Sequence, residues 1–376
     1  MHLRDLGSEG QGPGEFQRPR WVAGTPDGRI FVTDRRSGRI NVYGPEPGAV
    51  DEWPLGRIQC CIHPMVATED GVVWVDGSVV DEERADVDYG MQAYGSEGAI
   101  GEPFKVPRYE YDRWTLRYNG REIEGVPYAP HIAWAIAPTG VLIAGVTDRY
   151  RFEIISPAGP KTVIERYWEP LQPIAEEIEN ATRRARMQGA RTGSGDNPNI
   201  EWDGRLPQYK PVFHSLMSTH SGDVWVFRQG AAQPIVDCDP KGVNEPVPGG
   251  SGFVVPNACF STEPIIDAFE AEGRYLGRIE EPRGVRLFAS RTFVRGDTVI
   301  TQAEDEAGTI MVKRYRLVLP SCRFLPCRTV LTFDAARKLG LCGCPPSSSM
   351  VRWRPGARTA SPAARLRFPD HGVASA

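Results

Sequence analysis

The stretch that decides the fold is PDGRIFVTD, at residues 26–34. Gly28 occupies a tight turn, where a positive φ costs glycine little, and the apolar residues after it suit a pleated, buried strand. The same turn and strand recur along the chain as EDGVVWVDG (69–77), PTGVLIAGV (138–146), HSGDVWVFR (220–228) and, more weakly, RGDTVITQA (295–303). This recurrence indicates an internal structural repeat.

Further strands surround each copy of the repeat. An apolar stretch such as SLMST (215–219) precedes the glycine turn, and an alternating segment such as RINVYGPEPG (39–48) follows it and ends in a second turn. A short outer strand, for example YLGRI (275–279), completes a four-stranded unit. Such a unit, of roughly 40 residues, cannot bury both of its faces alone, so its repetition predicts an all-β propeller of four-stranded antiparallel blades. A β-sandwich with irregular hairpins is the alternative.

Two insertions interrupt the repeat. Residues 169–190 carry acids early, arginines late and then a glycine, a pattern that predicts one inserted surface helix. Residues 229–262 form a long loop between the second and third strands of the fourth unit, and loops of this length are usually functional or disordered. Cys238 and Cys259 flank this loop and are a candidate disulfide pair.

The two ends of the chain depart from the repeat. LRDLG (3–7) is similar to the outer-strand segment LGRIE (276–280), so the first blade is expected to be incomplete. Either this strand completes the last blade and closes a five-bladed ring, or the chain is a truncated six-bladed propeller. The propeller domain is assigned to residues 1–319.

Residues 320–376 show no repeat and are expected to form a disordered or aberrant tail. The alternative for this tail is a metal knuckle. Its cysteines are Cys322, Cys327, Cys342 and Cys344. Their spacing departs from the two short Cys pairs of common zinc sites.

Composition and missing motifs argue against several functions. A net charge of −4 and a pI near 6.0 disfavour nucleic acid and anionic membranes as partners. The chain contains no apolar run that could span a membrane, and MHLRDLGSEG lacks the apolar core of a signal peptide. GSGDNP (193–198) lacks the lysine and hydroxyl of a phosphate-binding loop, and the sequence contains no G-x-S-x-G nucleophile elbow.

One long segment carries a family resemblance. GQGPGEFQRPRWVAGTPDGRIFVTDRRSGRINVYGPEPG (10–48) resembles the NHL-type repeat of six-bladed β-propellers. Together with the inserted helix, LPQYKPVFHSLMSTHSGDVWV (206–226) and FEAEGRYLGRIEEP (269–282), it is similar to a group of exported, mostly uncharacterised bacterial propellers. Over residues 1–319 the resemblance implies six blades, with a periplasmic or extracellular location for the complete protein. It does not define an activity, because propellers host enzymes, sensors and adaptors alike.

Polar residues recur where the innermost strands begin, which is where propellers bind ligands around the central channel. Arg20, His63 and His214 precede their turn glycines by the same interval, and His131 lies one residue out of phase. With Arg35, which follows the second strand of the first unit, they are the candidate ligand-binding residues. Imidazoles that converge on one axis could hold a divalent metal, Zn or Ca, that activates water. Histidines at strand starts can instead simply satisfy backbone groups.

These observations support three functional hypotheses. The first is a non-enzymatic propeller without cofactor that binds a peptide, glycan or protein at the channel mouth. The second is a metal-dependent propeller enzyme, a lyase or lactone hydrolase, that uses His63, His131 and His214. The third is a purely structural role, which predicts no concave polar pocket at the mouth. Asp34, in the V-x-D segment after the second strand, is expected to be a structural turn residue rather than an acid catalyst.

Overall fold

The protein's structure is a computed structural model. It describes residues 6–46, 48, 50–56, 59–60, 64–81, 86–156, 161–188, 196–240, 243–245, 253–281, 285–304, 310–318 and 350–355. The strands of this part of the chain form six sheets. In most of them, neighbouring strands follow one another in the sequence and run antiparallel.

Four-stranded meanders dominate the first half of the chain. Blade 1 consists of β1 (Pro19–Gly24), β2 (Ile30–Asp34), β3 (Arg39–Tyr43) and β4 (Val50–Pro54). Blade 2 consists of β5 (Gln59–Cys60), β6 (Val66–Ala67), β7 (Val73–Asp81), β8 (Asp86–Gly95) and β9 (Gly98–Lys105), with β5 and β6 both paired to β7. A small sheet follows from β10 (Thr115–Tyr118) and β11 (Arg121–Glu124). Blade 3 consists of β12 (Ile132–Ile136), β13 (Leu142–Val146), β14 (Arg151–Ile155) and β15 (Thr162–Glu165).

The second half repeats this plan around insertions. Helix α1 (Ala175–Met187) and β16 (Ile200–Glu201), which joins the small sheet beside β10, precede blade 4. Blade 4 consists of β17 (Ser215–Ser218), β18 (Val224–Pro234), β21 (Phe260–Phe269) and β22 (Tyr275–Ile279), with the hairpin β19 (Val243–Glu245) and β20 (Phe253–Val255) inserted. Blade 5 follows a 3₁₀ turn (Ala289–Arg291) and consists of β23 (Thr292–Arg295), β24 (Thr298–Glu304), β25 (Ile310–Val318) and β26 (Met350–Pro355).

Apolar clusters join each blade to the next. Phe31 of blade 1 packs in one cluster with Val73 of blade 2, and Met91 of blade 2 packs in another with Trp134 of blade 3. Two further clusters join blade 3 to blade 4 and blade 4 to blade 5. Successive sheets therefore bury one another's faces, as the blades of a propeller do. The all-β propeller predicted from the repeat is confirmed, and the sandwich alternative is wrong.

The repeat glycines hold the turns predicted for them. Each of the five, from Gly28 through Gly71, Gly140 and Gly222 to Gly296, has a φ between +57° and +92°. In this left-handed region a side chain would strain the backbone, so glycine is favoured there. The first and second strands of each blade therefore join in a tight hairpin.

One interface between blades is polar as well as apolar. Asp267 on β21 accepts a hydrogen bond from Tyr150 (2.8 Å) and one from Tyr275 (3.1 Å). Arg228 on β18 lies 3.2 Å from the same carboxylate and 3.5 Å from the centroid of the Trp168 ring. Burial raises the pKa of Tyr150 well above its ordinary value, and Asp267 adds to that shift. The cluster is a structural link between blades 3 and 4.

The two predicted insertions differ in detail from the expectation. Helix α1 is shorter than residues 169–190, because Pro173 lies just before its start and removes a backbone donor. It is also more than a surface helix, since Glu177 and Asn180 are buried. In the 229–262 segment, β18 and β21 extend into the predicted loop and β19 pairs with β20. The predicted Cys238–Cys259 disulfide is confirmed, with 5.4 Å between the Cα atoms.

The fourth position of blade 5 is filled by a strand that the sequence did not predict. β26 pairs antiparallel with β25 and parallel with β22 of blade 4. It lies within 320–376, the segment expected to be a disordered tail, and the rest of that segment, with its four cysteines, lies outside the described residues. Most of the N-terminal LRDLG segment lies outside them too. Within the described part of the chain, no helix has both the length and the apolar character needed to cross a membrane.

Candidate functional site

A pocket of about 890 Å³ opens at the end of the blades where the innermost strands of blades 3 and 4 begin. We call it the mouth pocket. Residues 125–129, which lead into β12, form one wall together with His131 and His214. Helix α1 and the ends of β18 and β21 form the others, and Arg286 lies at the edge. The structure thus contains the concave polar pocket that a purely structural role would lack.

His131 is held by backbone groups. Its ring Nε2 lies 3.1 Å from the carbonyl oxygen of His214, and its main-chain N–H donates to the Thr147 hydroxyl (2.9 Å). Because a carbonyl can only accept, Nε2 donates to it. Nδ1 lies 3.4 Å from the Thr147 hydroxyl oxygen and 3.5 Å from the carbonyl oxygen of Ala129. The ring therefore fixes the relative position of the two strand starts.

His214 is a neutral group at physiological pH. Burial lowers the pKa of its ring to about 4, and the nearby His131 and Arg286 add to that shift. Its Nδ1 lies 3.0 Å from the hydroxyl oxygen of Ser215. His214 can therefore offer hydrogen bonds to a ligand but no charge.

Helix α1 covers the pocket and is docked by a buried ion pair. Lys210 Nζ lies 2.6 Å from Glu177 Oε1, and both side chains are almost fully buried. The Tyr128 hydroxyl donates to the Glu177 carbonyl oxygen (3.3 Å). The other carboxylate oxygen of Glu177, Oε2, is buried and has no hydrogen-bond partner among the described residues. Glu177 lines the pocket, but this oxygen itself is shielded from solvent.

The same helix is tied to the disulfide-closed loop. Asn180 Nδ2 donates to the carbonyl oxygen of Asn257 (3.3 Å), and the N–H of Cys259 donates to Asn180 Oδ1 (3.2 Å). Asn257 in turn donates to the carbonyl oxygen of Asp239 (2.9 Å). The two insertions thus act together as a rigid cover over the mouth.

Two arginines give the pocket a positive character. Arg184 on α1 and Arg286 before blade 5 both line it and are exposed. Over the residues that the structure describes, neither has a carboxylate at ion-pair distance, whereas the Glu177 charge is matched by Lys210. Glu281 interacts electrostatically with Arg286, but the side chains that line the mouth carry a net positive charge, which suits an anionic ligand group.

The predicted site residues fall into three groups. His131 and His214 come together at the pocket. Arg20 and Arg35 are exposed and do not line it; the Arg20 guanidinium lies 5.5 Å from the Trp21 ring centroid. His63 lies outside the described residues. Among the residues that are described, no group of three or more His, Cys, Asp or Glu side chains could hold a metal ion.

Asp34 has the structural role predicted for it. Its carboxylate is buried and accepts backbone N–H bonds from Gln17 (2.6 Å), Arg18 (2.9 Å), Arg36 (3.0 Å) and Ser37 (3.4 Å). Burial alone would raise the pKa of Asp34, but these donors outweigh it and lower the pKa below its ordinary value. The residue locks the strand end of blade 1 and is not available as an acid catalyst.

Sequence reasoning missed Glu177, Asn180, Arg184 and Arg286. The helix and the loop were predicted as insertions, but which helix face would be buried depends on contacts with residues far away in the chain. An early acid in a helix ordinarily complements the helix dipole at the surface. Only the position of Lys210 shows that Glu177 is directed inward.

The strand order, the apolar clusters between successive sheets and the pocket at the strand starts define a β-propeller with a ligand-sized cavity at one end. No protein-family model matches the chain, and no curated protein matches it. Solved structures with similarity include virginiamycin B lyase from Staphylococcus aureus, 12% identical over 81% of this chain and 86% of that one, with a TM-score of 0.33.

Two other solved structures show similarity at the same level. One is a putative exported protein from Bacteroides fragilis, 10% identical over 80% of this chain and 71% of that one, with a TM-score of 0.37. The other is the PQQ-bound aldose sugar dehydrogenase from Streptomyces coelicolor, 13% identical over 81% of this chain and 95% of that one, with a TM-score of 0.30.

Proposed function

We propose that this chain is a non-enzymatic binding protein whose ligand occupies the mouth pocket. The observation that carries the proposal is a cavity of about 890 Å³ whose lining includes two histidines, His131 and His214, and two exposed arginines. Ligand pockets of roughly 300–1,000 Å³ take small molecules or the end of a short chain rather than a folded domain. A short peptide or glycan therefore fits the pocket better than the surface of a protein.

The imidazoles of the pocket favour binding over catalysis. A general base works best when its pKa lies near the operating pH, and burial lowers the pKa of His214 to about 4. The nearby Ser215 hydroxyl forms a pair with His214, but no acidic side chain orients that ring within the described residues. His131 donates its Nε2 proton to the backbone carbonyl of His214 and so does not present it to a ligand.

The Cys238–Cys259 disulfide supports an exported protein. Disulfides persist in the periplasm and outside the cell, and are rare in the reducing cytosol. Together with the resemblance of residues 10–48, this supports a bacterial, six-bladed, NHL-type propeller that acts in the periplasm or extracellularly.

A blocking variant tests the proposal. Ala181 lies on the pocket side of α1, so Ala181→Trp should fill the cavity, whereas Glu179→Trp adds the same side chain at an exposed position outside the lining. We screen peptides and glycans by thermal shift and expect hits that stabilise the wild type and Glu179→Trp but not Ala181→Trp. Hits that stabilise all three proteins equally would place binding elsewhere and contradict the proposal.

A metal-dependent enzyme is the second candidate, because two of the three histidines predicted for it lie together at the mouth. Elemental analysis of the purified protein tests it. This candidate requires about one equivalent of Zn or Ca in the wild type and its loss in the variant with His63, His131 and His214 all changed to alanine. Metal-free wild-type protein would eliminate it.

A further inference from the structure

A second cavity adjoins the mouth pocket. It measures about 430 Å³, and we call it the outer groove. Its lining comes from β10 and its flanks, β11 and the segment around β16, and includes two half-buried indoles, Trp114 and Trp202. Val126 lines both cavities, so the two are neighbours on either side of this side chain. A ligand longer than one unit could therefore extend from one cavity into the other.

The outer groove combines aromatic faces with paired charges. Arg205 Nε lies 2.5 Å from the Asp203 carboxylate, and Arg117 lies 4.0 Å from Glu201. These pairs make the groove electrically balanced but rich in hydrogen-bond donors and acceptors. Indole faces pack against the C–H faces of sugar rings, while the surrounding polar groups bond to the ring hydroxyls. This combination suits a carbohydrate.

Trp202 is held in place for such contact. Its indole N–H donates to the Arg205 carbonyl oxygen (3.2 Å), and the Arg186 guanidinium of α1 lies 5.9 Å from the ring centroid. The helix that covers the mouth pocket therefore also contacts the aromatic wall of the outer groove. The two cavities share one structural support.

The mouth pocket defines the polar groups of the innermost unit. Lys210 lies 2.6 Å from the Glu177 carboxylate and matches its charge, while Arg184 and Arg286 add positive charge to the lining. The arginines themselves suit a carboxylate, which can accept two hydrogen bonds from one guanidinium.

We propose that the two cavities form one continuous site for an acidic oligosaccharide. The carboxylate of the innermost sugar faces Arg184 and Arg286, and the following units pack over Trp202 in the outer groove. This inference rests on the proposed function, because it names the ligand class of the same pocket.

Isothermal titration of the full chain tests the inference with three probes: tetragalacturonate, its methyl ester and tetraglutamate. Tetragalacturonate should bind the wild type. Arg286→Gln should lower its affinity at least about tenfold, the usual loss when a hydrogen bond to a charged group is removed. The methyl ester should bind the wild type about tenfold more weakly for the same reason. Arg183→Gln, on helix α1 but outside both linings, should leave the affinity for tetragalacturonate unchanged.

The outer groove is tested separately. Trp202→Ala should lower the affinity for tetragalacturonate about fivefold. Trp202→Phe, which keeps an aromatic face, should retain most of the wild-type affinity. Digalacturonate that occupies the mouth pocket alone should bind with an affinity that neither variant changes. If Trp202→Ala does not fold, the role of the outer groove is tested by the Trp202→Phe protein and by the ratio of the affinities for tetragalacturonate and digalacturonate.

The outcomes separate this inference from the proposed function. If tetragalacturonate does not bind while another probe binds in a manner that Ala181→Trp abolishes, the ligand class is wrong and the mouth site stands. The oligosaccharide inference is also overturned if tetraglutamate and tetragalacturonate bind equally well, or if the position 202 variants leave the affinity for tetragalacturonate unchanged. If no ligand depends on Ala181, both proposals fail.

Discussion

The buried pair between Lys210 and Glu177 offers the sharpest test of how the mouth is built. Lys210 is 5% exposed and Glu177 is 6% exposed, and their charged atoms lie 2.6 Å apart. Lys210→Met removes the cation but keeps most of the aliphatic volume. The variant therefore leaves a buried carboxylate without its counter-ion beneath helix α1.

The magnitude follows from the geometry. At 2.6 Å and an effective dielectric constant near 20, the attraction is about 6 kcal/mol. Desolvation of the two ions offsets most of this attraction, so the pair as a whole contributes little, but removal of one partner typically costs about 3–5 kcal/mol. Glu177 lines a pocket that water can enter, so we expect the lower end of that range, about 3 kcal/mol.

Guanidinium chloride denaturation, followed by far-UV circular dichroism, measures the change in the free energy of unfolding. Lys210→Met together with Glu177→Met should return to within about 1 kcal/mol of the wild type, because no buried charge remains. The matched control is Arg183→Met, which breaks the exposed Arg183–Glu179 pair of the same helix and should cost under about 1 kcal/mol. A Lys210→Met protein as stable as this control would refute the reasoning.

Two further predictions concern stability. Burial lowers the pKa of His214 to about 4, so as the pH falls the unfolded chain, with a His pKa near 6.5, takes up the proton first. Stability should be full above about pH 6.5 and fall toward pH 4, by roughly 2 kcal/mol at pH 5; urea melts across this range should show the slope, and an unchanged slope in His214→Gln would contradict it. Asp34→Ala removes the acceptor of four backbone donors and should lower the free energy of unfolding by about 3 kcal/mol, measured by thermal denaturation, whereas Asp112→Ala at an exposed position should have little effect.

The repeat was readable from the sequence because each part of it depends on local chemistry. Gly28 and its counterparts need a positive φ, and the strands on either side alternate with the pleat, so both leave a pattern within nine residues. The Tyr275–Ile279 outer strand was predicted with its actual bounds. The pairing of β26 with β25 and β22 left no such pattern, because nothing local in residues 350–355 indicates which strand edge they meet.

The candidate site was only partly predictable for a related reason. His131 and His214 were found because strand starts occupy a fixed place in the repeat, and that place is the mouth. Glu177 and Arg184 belong to an insertion that has no counterpart in other blades, so no comparison between repeats could position them. Arg20 shares the repeat position and Arg35 follows the second strand of blade 1, but neither lines the pocket, which lies at blades 3 and 4.

The topology of a meander explains why both insertions meet at that pocket. In a four-stranded blade whose first strand starts at the mouth, the first and third connections lie at the far end, and the second connection and the link to the next blade lie at the mouth. Helix α1 lies in the link from β15 to β17, and the disulfide-closed loop is the second connection of blade 4. The small sheet of β10 and β11 lies in the link from blade 2 to blade 3. All three insertions therefore emerge on one face, while the glycine turns keep the first connections of the blades short, so the place of an insertion within the repeat decides which end of the propeller can build a binding site.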